Sequence, residues 1–214
     1  MFKNRETAGK TLSRVLTRYE GGNAVILAVP RGGIPVGFSV ARELRIPLDV
    51  IVPRKLPIPE EPEAGFGAVT ADGTVVLNEG LVAQLGLPRR TIDAIIHEVR
   101  KEVERRESVY RKAAPRIDLN GRTAILVDDG LASGFTMLAA IESVRKGAPK
   151  RIAVAVPCSP SRSIDLVTPH VDEVYCLINS EEPIFAVASY YEEFSDLTDE
   201  QVVGYLRRAA SLTP

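Results

Sequence analysis

Five apolar runs of strand length punctuate the chain, at residues 24–29, 48–52, 123–127, 151–156 and 173–177. They are nearly continuous rather than alternating, the pattern of strands covered on both faces. Between them, apolar positions recur at helical spacing over 34–44, 135–146 and 160–167. Strand, helix, strand repetition implies parallel pairing through right-handed crossovers. The pattern therefore predicts an α/β fold, a doubly wound, mainly parallel sheet flanked by helices.

Three stretches depart from that alternation. Residues 68–77 are two short β-prone runs about Asp72-Gly73, a hairpin signal. Residues 89–112 are charged and of helical period, with opposite-sign pairs such as Glu102 and Arg106, and read as a solvated helix leading into a mobile segment. Near the end, Thr198 with Gln201 forms a capping-box pattern ahead of Val202, Val203 and Leu206, predicting a terminal helix. The Pro-rich residues 57–63 read as a loop. With no internal repeat and no linker, residues 1–214 are expected to form one domain.

Composition narrows the partners. The chain has 214 residues, 45% hydrophobic, enough for a substantial core. Its 26% charged residues nearly cancel to a net charge of -1, so no global field attracts nucleic acid or anionic lipid, and a small-molecule partner is expected. Two cysteines, Cys158 and Cys176, make neither a disulfide framework nor a zinc pattern. The first residues are charged where a signal peptide is apolar, and no run approaches the roughly 20 apolar residues of a membrane span. A cytoplasmic location is expected.

The informative segment runs Val127-Asp128-Asp129-Gly130-Leu131-Ala132-Ser133-Gly134-Phe135-Thr136-Met137. It is a strand end with two carboxylates, a flexible turn and a helix start. Gly130 and Gly134 free backbone amides to face an anion, Ser133 and Thr136 add hydroxyls, and the helix N-terminus adds its dipole. A bare phosphate cradle has no use for two carboxylates at its lip; sugar hydroxyls and Mg²⁺ do.

This segment resembles the signature by which type I phosphoribosyltransferases bind phosphoribosyl pyrophosphate (PRPP). The resemblance implies that Asp128 and Asp129 hold the ribose hydroxyls and, with PRPP oxygens, indirectly a Mg²⁺ ion. Gly130, Leu131, Ala132, Ser133, Gly134, Phe135 and Thr136 would wrap the 5′-phosphate. Ser133 stands where the family usually has Thr, and Phe135 where Ala is common; neither change removes a donor.

Two further loops agree. Pro30-Arg31-Gly32-Gly33 again joins a strand to a helix, alone an ordinary turn but resembling the family's pyrophosphate loop. Arg54 and Lys55, expected at the end of the second strand, match cations that several members set against pyrophosphate. The resemblance also places a flexible covering loop before the acidic strand, for which Arg105, Arg106, Tyr110 and Arg111 are candidates, although a charge run on a helix is usually a solvated face. It spans about residues 24 to 191 and is closest to members of undefined substrate, through Arg54-Lys55, Gly67-Ala68-Val69 and the aromatic-acidic stretch 190–194.

The implied reaction is Mg²⁺-dependent transfer of the phosphoribosyl group to a nitrogenous acceptor, a nucleobase in most members. Asp128, Asp129, Arg31 and Lys55 would carry the catalysis. A variable hood and the loop after the fourth strand, with Pro157, Cys158 and Phe185, would meet the acceptor. Neither His97 nor His170 is placed beside Cys158 by the sequence, so no thiol nucleophile is expected. A homodimer is also implied. A regulator binding PRPP or a nucleotide, linked to RNA, and a hydrolase of phosphorylated sugars are the alternatives.

Overall fold

The computed structural model describes residues 1–211, with Pro62 and Glu63 described by backbone alone. The five apolar runs form one sheet in the order β2 (Leu48–Val50), β1 (Ala24–Ala28), β6 (Thr123–Val127), β7 (Arg151–Pro160), β8 (Glu173–Ser180). Every neighbouring pair is parallel. Successive residues of β1 enter opposite cores: Ile26 and Ala28 pack with Val36, Val40 and Val127, whereas Val25 and Leu27 pack with Leu126, Met137 and Ile141. Both faces of β1 are dry, which is why its run shows no alternation.

The connections are α2 (Gly33–Leu44) between β1 and β2, α5 (Phe135–Arg145) between β6 and β7, and α6 (Ser161–Val167) between β7 and β8. Chain order therefore reverses between β1 and β6. The loops leaving their carboxyl ends diverge, opening the crevice in which sheets of this type bind ligands.

A second, antiparallel sheet, β3 (Pro53–Ile58), β4 (Glu61–Thr70) and β5 (Val75–Leu77), follows β2. The hairpin about Asp72-Gly73 is present, with Gly73 at φ +83°. Residues 57–63, expected as a loop, are instead mostly strand, the end of β3 and the start of β4. Pro57 is tolerated there because β3 is an edge strand, and the register shifts on both sides of it. Likewise β7 runs on through Pro157 and Cys158 to Pro160, continuing its pairing with β8 at Cys158↔Ile178.

The charged stretch 89–112, expected as a solvated helix leading into a mobile segment, is helical. Helix α4 spans Arg89–Arg111, preceded by a short α3 (Glu79–Leu85). Its outward face is solvated and laced by pairs such as Arg100–Glu104, but Val103 and Tyr110 are fully buried. Arg105 binds Glu102 and Asp199, and the Tyr110 hydroxyl donates to Asp199 at 2.7 Å. Arg111 pairs with buried Asp49 and donates to the Val50 carbonyl at 2.8 Å. These four candidates for a flexible loop thus sit within α4, and all four have side-chain partners, Arg106 pairing with Glu102.

The terminal helix α7 (Asp199–Ala210) carries the reciprocal Thr198–Gln201 capping box and buries Val202, Leu206 and Ala209. At the other end, α1 (Arg5–Ser13) begins at Asn4, whose side chain accepts from the Thr7 amide at 3.0 Å. It crosses α2 so closely that a Cβ on Gly9 would lie 2.5 Å from the Val36 carbonyl oxygen. No helix among the described residues is long and apolar enough to cross a membrane.

The Gly9 contact is testable. Gly9→Ala is expected to lower stability by about 1–3 kcal/mol in a denaturant titration, the range for overpacking; an unchanged midpoint would show that α1 shifts freely on α2.

Candidate active site

Both loops at the switch point are fastened to the strand ends. The Val29 amide donates to the Val127 carbonyl at 2.8 Å, and the Gly33 amide back to the Val29 carbonyl at 2.9 Å. The peptide between Pro30 and Arg31 is cis. A Cβ on Gly32 would fall 2.0 Å from Asp129 Oδ2, and one on Gly33 2.7 Å from the Val127 carbonyl oxygen. Two glycines are thus what lets the Arg31 loop lie directly against the acidic pair.

Beyond the pair, the Leu131 amide donates to the Cys158 carbonyl at 3.0 Å, and Ser163 Oγ to the Ala132 carbonyl at 2.6 Å. Gly134, at φ +84°, turns the chain into α5. Ala132 and Ser133 stand exposed around the entrance to that helix, whose first amides have no partner within the helix. The loop and Thr136 line a cleft of about 460 Å³.

A second cleft of about 660 Å³ lies on the other side of Asp128 and brings Arg31, Arg54, Lys55 and Arg106 together with the two carboxylates. Arg54 and Lys55 do not end the second strand, as expected; they lie within β3. Pro53 cannot donate to the main ladder, so β2 stops at Val50 and the chain turns up into the small sheet. From there Lys55 lines both clefts, its stem over Gly65, whose missing Cβ position is 2.3 Å from Lys55 Cγ. The β3–β4 hairpin, through Ala64 and Gly65, forms the far wall of the Gly130–Gly134 cleft.

Electrostatics single out the acidic pair. Burial, then the neighbouring Asp129 charge, holds the Asp128 carboxyl well above its ordinary pKa. Burial also raises Asp129, opposed by Arg5, whose Nε donates to Asp129 Oδ2 at 2.7 Å. That partner, on α1, had no signal in the sequence. Across the cleft, burial and then Arg106 lower the pKa of Arg54. Glu102 offsets this cationic wall, lying 2.8 Å from Arg106 and 3.6 Å from Arg54.

The residues expected near an acceptor divide. Pro157 and Cys158 are buried in β7; Cys158 lies under the acidic turn, 3.8 Å from the Asp129 carbonyl oxygen, and burial pushes its thiol up to about 12. A thiol so held is no nucleophile at neutral pH. Phe185 is half-buried and stacks on Tyr190 with centroids 5.1 Å apart, so it serves packing at the hood. His97 and His170 are exposed. Among the described residues no group of three His, Cys, Asp or Glu side chains could hold a metal ion. The acidic pair fits a divalent ion only if a ligand supplies further oxygens.

The family model of the phosphoribosyl transferase domain matches residues 70–193, more than half of the chain. The chain belongs to this family. Two Mycobacterium tuberculosis proteins, Rv0571c of strain H37Rv and MT0597 of strain CDC 1551, are provisionally named phosphoribosyl transferases and are 39% identical over 209 residues, 98% of this chain. The chain spans about half, 47%, of their length. The crystal structure of TT1426 from Thermus thermophilus superposes with a TM-score of 0.80 at 33% identity, covering 97% of this chain and 98% of that one. As a phosphoribosyl transferase family member, the chain places the acidic turn and α5 inside the matched segment, while Arg5, Arg31, Arg54 and Lys55 precede it.

The two carboxylates should respond unequally to amide substitution. A folded-state pKa above the unfolded one means that the charged form of Asp128 opposes folding, so stability falls as pH rises through that interval. Asp128→Asn removes this opposition and keeps the acceptor for the Asp129 amide, so it is expected to raise the melting temperature, increasingly as pH rises above the ordinary carboxylate range. Asp129→Asn relieves burial in the same sense but leaves Arg5 without its counter-ion, so its gain should be smaller. Thermal unfolding of both variants as pH is raised checks the order, and equal shifts would contradict it.

Proposed function

We propose that the protein transfers the 5-phosphoribosyl group of PRPP to a nitrogenous acceptor, with release of pyrophosphate. The observation that carries this reading is the acidic pair set between two clefts that share Lys55. A ligand with a phosphate at one end, a pyrophosphate at the other and a sugar diol between them matches that sequence of groups.

In this reading Asp128 and Asp129 accept hydrogen bonds from the ribose hydroxyls. Gly130 to Thr136 hold the 5′-phosphate through amides, the hydroxyls of Ser133 and Thr136 and the α5 dipole. Pro30 to Gly33, Arg54 and Lys55 take the pyrophosphate, with Arg31 and Lys55 stabilising the charge that grows on the leaving group. Mg²⁺, held between the acidic pair and PRPP oxygens, would neutralise further pyrophosphate charge. As the bond from C1 to pyrophosphate breaks, positive charge spreads over C1 and the ring oxygen, and an acceptor nitrogen attacks C1. Positioning and electrostatics carry this chemistry, and it requires no protein nucleophile. The acceptor would approach from the hood, beside Phe185 and Val187; a nucleobase is the class the family suggests.

The test is incubation with Mg²⁺, PRPP and a panel of purine, pyrimidine and small-amine acceptors, following pyrophosphate and weighing products. Acceptor-dependent pyrophosphate with a ribosylated product of matching mass is the expected result. Asp128→Ala with Asp129→Ala should abolish PRPP binding in calorimetry, and chelation of Mg²⁺ should weaken it at least about tenfold, a shift of ~1.4 kcal/mol. Tight PRPP binding by the double variant would overturn the assignment. Binding without turnover of any acceptor would instead indicate a PRPP-binding regulator.

A further inference from the structure

Arg5 precedes the matched segment and lies 124 residues from Asp129, yet it makes the closest ionic contact to the acidic pair. Its guanidinium has three partners. Nε donates to Asp129 Oδ2 at 2.7 Å, Nη1 donates to the Ser195 carbonyl at 2.8 Å, and Cζ stands 3.7 Å over the Phe194 ring centroid. The two ionic side chains are only 11% and 14% exposed.

The same neighbourhood is bound to the chain start by backbone. The Phe2 amide donates to the Tyr190 carbonyl at 2.8 Å, and the amides of Glu192 and Glu193 donate to the Phe2 and Lys3 carbonyls at 2.9 Å. The Tyr191 hydroxyl then donates to the Asp129 carbonyl at 2.6 Å. Residues 190–195 thus reach Asp129 twice, through Tyr191 to its backbone and through Arg5 to its carboxylate.

We propose that Arg5 is a positioning residue: it aims the Asp129 carboxylate at the ribose diol and links that aim to the segment 190–195. The inference rests on the acidic pair being the ribose site. Arg5 acts through Asp129 rather than on the sugar. A carboxylate accepts about four hydrogen bonds, and Arg5 occupies one of them on Oδ2. A planar guanidinium held by a ring face and a carbonyl cannot swing with its partner, so the carboxylate is fixed between Arg5 and the Gly32 backbone. Without Arg5, two buried carboxylates would remain side by side without this cation, and Asp129 would turn from its present direction. Lysine keeps the charge but lacks the fork that reaches Asp129 and Ser195 together.

The experiment compares calorimetric titrations of ribose 5-phosphate, 2-deoxyribose 5-phosphate and inorganic phosphate, with hydrogen exchange of residues 190–195 in each complex. The unsubstituted protein should prefer ribose over deoxyribose 5-phosphate by about tenfold, one hydrogen bond to a charged acceptor. Arg5→Met should bring that preference to within about twofold of unity while inorganic phosphate binds as before. A merely structural strut would weaken all three ligands together. Arg5→Lys should retain most of the preference but lose the ligand-induced protection of 190–195. A persisting preference in Arg5→Met overturns the aiming role, and full protection of 190–195 in Arg5→Lys overturns the link, even if the methionine variant proves too unstable to titrate. No ribose preference in the unsubstituted protein would overturn the ribose site itself, and the proposal with it.

Discussion

Burying Asp128 beside Asp129 sets an electrostatic requirement that the turn itself and distant parts of the chain meet. Two carboxylates out of water repel and are poorly solvated, so each addition that stabilises their charge must come from fixed donors. The α1 helix brings Arg5, the Asp129 amide turns back on Asp128, and the clefts bring cations within reach of both. The close fit of α1 on α2 at Gly9 therefore bears on the site as well as on the core. It fixes the helix on which Arg5 is carried.

The second sheet solves a different problem. Parallel strands deliver loops to one edge of the main sheet, but those loops alone leave the crevice open above. By ending β2 early and beginning an antiparallel sheet at Pro53, the chain raises Arg54 and Lys55 over the crevice and walls the Gly130–Gly134 turn with Ala64 and Gly65. Helix α4 then backs this wall with Arg106, and α7 secures α4 through Asp199. A long helix tied at buried Tyr110 thus stands behind the crevice.

What the sequence made legible followed from local signals. The five apolar runs, the hairpin at Asp72-Gly73 and the cap at Thr198 each carry their cause within a few residues, and each is found. The turns at Pro30–Gly33 and Asp128–Thr136 were legible because glycines, hydroxyls and carboxylates at a strand end have few other uses. Helix α1 was not, since Ala8, Gly9 and Leu12 make too narrow an apolar stripe, and Arg5 has no local mark of its partner. The charge run at 89–112 was ambiguous because solvated helix and mobile loop share that composition; the buried Val103 and Tyr110, one heptad apart, were the available signal.

Part of the charge in the crevice is already paired within the chain. Glu102 faces Arg54, Arg105 and Arg106, and Asp129 faces Arg5. An incoming anion on the cationic wall must therefore exchange with Glu102, and it gains the difference between two pairings rather than the whole of one. The 3.6 Å separation of Glu102 from Arg54 is loose for a charge-assisted hydrogen bond, whereas a phosphate can meet a guanidinium in bidentate fashion. Pre-pairing keeps the desolvation cost of empty cations low, and a loose internal partner leaves the exchange favourable. The same logic on the acidic side runs the other way: Arg5 is held tightly, at 2.7 Å and by a stacked ring, so it is built to remain while the free lone pairs of Asp129 are used.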